Sequence, residues 1–208
     1  MNNHYIPLFE ELDRALGSRF GSIKIELQVI GYVALELAGL PDRGTKDIDA
    51  LETSLTIGVP NEELLKYLKT EFGRRSPAAR KHGTYLDIVQ KGIVWLPLAP
   101  KFRSVIKLKN IDVSRLVPLD VCVSKIFSNF QKKGERGSDR DDIINSLRRN
   151  IIAFAEFVQR LDEALPHQEG RAEAPDVFPK VLTFVDELSQ TFGPALLKYK
   201  LPNWMENM

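Results

Sequence analysis

A single cysteine, Cys122, serves 208 residues, so no internal disulfide can form, which fits a reducing compartment. Histidine is nearly as scarce. His4, His82 and His167 are far apart in sequence and show no metal-ligand spacing, which argues against a zinc site. No run of 18 apolar residues occurs, so nothing in the sequence is expected to span a bilayer. The start, Met1-Asn2-Asn3-His4-Tyr5, lacks the basic opening and long apolar stretch of a secretory signal. Neither charge dominates: 29 Lys and Arg face 28 Asp and Glu, a formal net charge of +1. That balance excludes a surface that is basic throughout, though not a local basic cleft. Internal repeats and low-complexity tracts are absent too. These absences together lead to the expectation of a soluble, cytoplasmic protein with no membrane partner.

What is present suffices for a sizeable core, with 43% apolar and 27% charged residues. The first half mixes two periods. Phe9, Leu12, Ala15 and Leu16 recur at helical spacing, predicting a helix over 7–17. Ile23, Ile25, Leu27 and Val29 alternate with polar residues and predict a strand closed by Gly31, with a short helix over 33–38. Asp47 to Leu51 opens a second strand, and 61–72 reads as a helix with Glu62 and Glu63 in its first turn. A basic loop over 74–82, bearing Arg74, Arg75, Arg80, Lys81 and His82, leads into a strand at 84–89. Residues 93–98 and 111–117 are further strand candidates by composition. From Pro118 the character turns helical, with helices expected over 119–132, 139–147, 151–165 and 177–191 and a loop over 166–175. The expected division is an α/β core over 1–117 and a helical region over 118–208.

Asp47-Ile48-Asp49 is the most informative segment. Residues two apart on a strand share a face, so both carboxylates project together while Ile48 packs opposite. Like charges roughly 6–7 Å apart repel, and a cation between them relieves the repulsion. Mg²⁺ suits such a pair, because it takes few protein carboxylates and completes its shell with phosphate oxygens and water. An exposed strand edge with two solvated aspartates is the other reading of the tripeptide. Asp87, between Leu86 and Ile88, adds an acid in a separate strand, where Asp is unfavourable by propensity. Lys125 lies on a predicted helix among Val121, Cys122, Val123, Ile126 and Phe127, where a lysine ordinarily snorkels to the surface. Asp139 and Asp142 share a helix face, with a cap or a pairing to Arg136 or Arg140 expected for Asp139.

The order of these pieces carries a resemblance. The segment Val29-Ile30-Gly31-Tyr32 to Gly39, then Arg43-Gly44-Thr45-Lys46-Asp47-Ile48-Asp49 and Tyr85-Leu86-Asp87-Ile88, resembles the polymerase-β-like nucleotidyltransferase superfamily. It looks most like the minimal bacterial branch that includes AbiEii-type toxins. Lys125 and the segment Arg136 to Ile143 match that branch's helical lysine and following Arg/Asp-rich stretch, so the likeness covers about residues 25–150. The resemblance implies an α/β (α+β) fold, a mixed β-sheet flanked by helices with a C-terminal helical extension. It implies a pyrophosphate-releasing enzyme that moves a nucleoside monophosphate from an NTP to a hydroxyl acceptor on tRNA or other RNA, a protein or a small molecule. Asp47, Asp49 and Asp87 would hold one or two Mg²⁺ ions and carry the chemistry. Gly31, Tyr32, Arg43, Thr45 and Lys125 would bind the substrate. For a toxin of this branch the further partner would be an antitoxin. One position departs: Tyr32 stands where the family carries a second Gly or a Ser. That bulk in the phosphate seat would instead suit a non-catalytic binding or regulatory protein.

Overall fold

The computed structural model describes residues 4–52, 61–131, 137–194 and 197–206. The chain divides into two compact units, one of residues 1–93 and 102–117, the other of residues 94–101 and 118–208.

The first unit is built on five strands: β1 (Ile25–Val29), β2 (Asp47–Leu51), β3 (Tyr85–Val89), β4 (Phe102–Lys107) and β5 (Ile111–Leu116). They lie in the order β3-β2-β1-β5-β4. Pairing is mixed, parallel for β1 with β5 and β2 with β3, antiparallel for β1 with β2 and β4 with β5. The alternation read from the sequence appears directly in β1, where Ile25, Leu27 and Val29 are buried and Glu26 is exposed. Four helices accompany the sheet: α1 (Ile6–Phe20), α2 (Gly31–Glu36), α3 (Asn61–Glu71) and α4 (Pro77–His82). Helix α2 packs on β2, α3 and α4 pack on β3, and α1 meets α4. The expected α/β class, a mixed sheet flanked by helices, is the one present.

Two segments correct the sequence expectations here. The basic loop contains α4, begun by Ser76, whose Oγ accepts from the Ala79 N–H at 3.0 Å, and stopped by Gly83 at φ +70°. Strand β4 was not expected, since its run Phe-Arg-Ser-Val-Ile-Lys alternates poorly and a register shift between Ser104 and Ile106 interrupts its pairing.

The second unit packs α5 (Pro118–Gln131), α6 (Gly137–Arg148), α7 (Phe154–Gln168) and α8 (Ala174–Phe192), with a short α9 (Asn203–Glu206). Its other component is the strap over 94–101, whose first half lies in the 93–98 run expected as a strand. The strap's carbonyls are taken by side chains instead of a ladder. Gln168 Nε2 donates to Leu96 O at 2.6 Å, Arg171 Nη2 to Val94 O at 2.8 Å, and Arg160 Nη2 to Leu98 O at 2.9 Å. Trp95, fully buried, stacks on Phe127 with centroids 5.0 Å apart. The apolar composition of this segment therefore reflects burial among helices. The expected loop over 166–175 is also shorter than read, because Pro166 lies inside α7 and Pro175 in the first turn of α8, where a missing N–H costs nothing. Among the described residues no helix is long and apolar enough to cross a membrane.

Asp13 fastens α1 to the turn before β5. Its Oδ1 accepts from the backbone N–H groups of Asn110, at 2.5 Å, and Ile111, at 3.1 Å, while Asn110 Nδ2 donates to Asp13 O at 2.8 Å. Asp13→Ala strands two partly buried backbone donors and is expected to cost about 1–3 kcal/mol in urea denaturation. A loss below about 0.5 kcal/mol, the ordinary range for a surface change, would refute this role.

Candidate functional site

Parallel pairing of β2 with β3 sets Asp47 beside Tyr85 and Asp49 beside Asp87 in register. Residues two apart on a strand share a face, as do direct partners on adjacent strands. Asp47, Asp49, Tyr85 and Asp87 therefore occupy four adjacent positions on one face of the sheet. Ile48, Ala50, Leu86 and Ile88 project from the other face and are buried. Asp47 and Asp49 are half-buried, and Asp87 is exposed. The Tyr85 hydroxyl registers the cluster electrostatically: burial first, then the charge of Asp47, raise its pKa, Arg74 pulls the other way, and Asp87 and Asp49 add smaller upward pushes. The signal in the sequence for Tyr85 sharing this face is its place two residues before Asp87 on one strand.

Gly31 approaches this face from the end of β1. Its φ is +66°, and a Cβ built there would stand 2.6 Å from Asp49 Oδ2. Glycine is required twice, for its backbone conformation and for the carboxylate lying against its α-carbon. The Ile30 N–H donates to Asp49 O at 2.9 Å, tying the turn to the strand that bears the acids.

Tyr32 is buried, and its hydroxyl donates to Pro41 O at 2.6 Å. The Arg43 guanidinium lies over the Tyr32 ring, 3.7 Å from its centroid, and Arg43 Nε donates to Thr45 Oγ1 at 3.2 Å. The bulky residue at the glycine turn thus acts as a strut for the loop over 41–45. That loop is held a second way by Glu36, whose Oε1 accepts from the Arg43 N–H at 3.1 Å and whose Oε2 accepts from the Tyr5 hydroxyl. Burial is the main cause of a raised Glu36 pKa, with the Tyr5 and Arg43 hydrogen bonds pulling it back down. Gly31, Tyr32, Arg43 and Thr45, expected as substrate-binding residues, accordingly stand on α2 and the loop it supports, in the same unit as the three acids.

Lys125 belongs to the helical unit. It is neither at the surface nor free: Nζ stands 2.5 Å from Asp139 Oδ1 and 2.8 Å from Asp142 Oδ2, and all three residues are buried. The shared helix face of Asp139 and Asp142 was legible, but their partner is Lys125. Arg140 pairs instead with Glu187, and Arg136 lies outside the described residues. Cys122 is wholly buried and its thiol is pushed up to about 12 by burial, an inert core residue as expected.

Hard oxygen donors on one face suit Mg²⁺ by chemistry. Among the described residues, however, no three His, Cys, Asp or Glu side chains gather closely enough to hold a metal ion. The strand register, rather than the side-chain positions, is what brings the acids together.

No family model matches the sequence, and no curated protein matches it. Among solved structures, the chain is similar to the crystal structure of an antigenic nucleotidyltransferase-like protein from Paracoccidioides brasiliensis, with a TM-score of 0.43 and 17% identity over 87% of this chain and 93% of that one. A likeness at that TM-score leaves both fold family and activity to the chain's own geometry.

Two substitutions probe these placements. Gly31→Ala is expected to lose at least about 1 kcal/mol in urea denaturation, from the positive φ alone, with the Asp49 carboxylate displaced in a crystal structure of the variant. Unchanged stability would show that the turn has no need of glycine. Lys125→Met leaves two acids buried around an apolar side chain and is expected to cost about 3–5 kcal/mol, measured the same way. A loss within about 0.5 kcal/mol would mark Lys125 as a surface residue after all.

Proposed function

We propose that the chain is a Mg²⁺-dependent nucleotidyltransferase of the polymerase-β-like type, moving a nucleoside monophosphate from an NTP to a hydroxyl acceptor. One observation carries this reading: Asp49 and Asp87 are register partners on parallel strands, with Asp47 two residues away on the same face. Three acids from two strands, beside a positive-φ glycine turn, would supply oxygen donors to a cation once their side chains turn towards it.

In this reading Asp47, Asp49 and Asp87 would hold Mg²⁺, one ion or two. When bound, the metal neutralises charge on the transferring phosphate and on the pyrophosphate leaving group. The chain's own residues do the rest. Gly31, having no Cβ, lets the Asp49 carboxylate lie against its α-carbon and so sets that acid beside the turn that would meet the phosphates. Arg43, braced by the Tyr32 ring and Thr45, offers a planar cation with a fixed approach. Asp87, exposed at the edge of the cluster, accepts the proton of the acceptor hydroxyl. The hydroxyl oxygen bonds to the α-phosphorus as the bond to pyrophosphate breaks. Lys125 stands in the other unit with two carboxylates around its ammonium, so this reading assigns the substrate cation to Arg43.

The substitution at Tyr32 is compatible with this chemistry, because its hydroxyl and ring are engaged by Pro41 and Arg43. The acceptor hydroxyl belongs to an RNA end, a protein or a small molecule. A toxin's role, opposed by an antitoxin, is the physiological setting that the sequence resemblance favours.

Incubation of the full chain with each α-labelled NTP, Mg²⁺ and fractionated cell lysate tests the proposal and reports the acceptor. Transfer is expected to require Mg²⁺ and to fall at least about 10²-fold in Asp47→Asn, Asp49→Asn and Asp87→Asn, with the circular dichroism spectrum unchanged. Transfer that persists in Asp47→Asn/Asp49→Asn, or the absence of NTP binding by calorimetry, would leave a binding module in place of an enzyme.

A further inference from the structure

The opposite face of the same sheet holds a second, unlike arrangement. Val29 pairs with Ala50 on one side and with Arg115 on the other, and Ala50 points away from the acid-bearing face. Arg115 therefore shares its face of the sheet with Val29, Val113 and Ile111, the apolar side. It is 7% exposed, and its Nε and Nη1 are buried without a hydrogen-bond partner. Its register partner across β4 and β5 is Arg103, an exposed arginine.

Two guanidinium groups on neighbouring strands repel, and burial removes the water that would otherwise screen them. The Arg115 pKa is lowered accordingly, by burial first and by Arg103 second, with no carboxylate acting against either. Among the described residues neither arginine makes an ion pair, although every other buried charged side chain, Lys125, Asp120, Asp139 and Asp142, has a charged partner. Arg115 is the exception to the rule that buried charges are paired. An anion resolves the exception.

We infer that Arg115 and Arg103 form a binding site for a phosphate group, on the face of the sheet opposite the three acids. Two cations side by side match a tetrahedral dianion better than a carboxylate, which neutralises one of them and leaves the other. Each guanidinium presents parallel N–H donors at the spacing of two oxygens on one centre. Arg115 supplies the buried, fixed half of the site and Arg103 the accessible half. The phosphate is either free or the terminal group of a nucleotide, and the two sources share this chemistry.

Calorimetric titration of the full chain with inorganic phosphate, in EDTA so that no cation bridges a ligand to the acids, reads the site directly. One phosphate per chain is expected to bind, about 10-fold or more weakly in Arg103→Ala and in Arg115→Lys, and unchanged in Asp47→Asn. Arg103 is exposed, so its variant keeps the fold whatever becomes of Arg115→Lys. AMP that binds tighter than phosphate assigns the site to a nucleotide ester; phosphate alone bound assigns it to the free ion. The inference is overturned if phosphate fails to bind, if binding is indifferent to both arginine variants, or if acetate binds as well as phosphate.

Discussion

The in-register parallel pairing of β2 with β3 is the constraint on which the site depends. A shift of one residue in that pairing would send Asp87 to the apolar side and set Leu86 or Ile88 beside Asp49. The register is held by hydrophobic burial, since Ile48, Ala50, Leu86 and Ile88 all bury their side chains on the far face. The same apolar residues that stabilise the sheet thus fix the spacing of the acids, and like charges are held close at the expense of that burial. Parallel strands need a long connection, which here carries α3 and α4 between them. The helices of this connection both pack on β3, so the crossover reinforces the register it creates.

Much of this was legible because strand alternation is a local signal. Asp47-Ile48-Asp49 and Leu86-Asp87-Ile88 declare their own faces, so the shared side of the acids required only that the two strands be neighbours. Tyr32 was legible only in part, because sequence gives the size of a side chain, here a bulky one three positions after the strand, but not its direction. Its hydroxyl finds Pro41 and its ring Arg43, partners nine and eleven residues on, in a loop whose path no periodicity predicts.

The other misreadings share a cause, the choice between composition and context. Residues 93–98 have the composition of a strand, yet Gln168, Arg171 and Arg160, some 60 to 80 residues later, take up the strap's carbonyls. Such long-range donors leave no trace in the segment itself. Helix α4 is masked in the sequence by its own charge, since five basic residues over 74–82 give the segment the composition of a solvated loop. Ser76-Pro77 at one end and Gly83 at the other were the readable signals, a hydroxyl acceptor, a proline at the first turn and a glycine stop.

Whole-chain charge concealed the most. A formal net charge of +1 suggests a surface without strong preference for either sign. The sheet nevertheless separates its charges by face, with Asp47, Asp49 and Asp87 on one side and Arg115 and Arg103 on the other. Alternation makes the separation possible, since a strand assigns neighbouring residues to opposite faces at a cost of one position. Net charge is a sum and registers none of this, whereas local field depends on which charges stand together. Two sites of opposite sign can therefore occupy one sheet without altering the balance that first argued against a polyanion binder. Their energetics would remain separate as well: a cation at the acids and an anion at the arginines would each relieve a repulsion that the other does not touch.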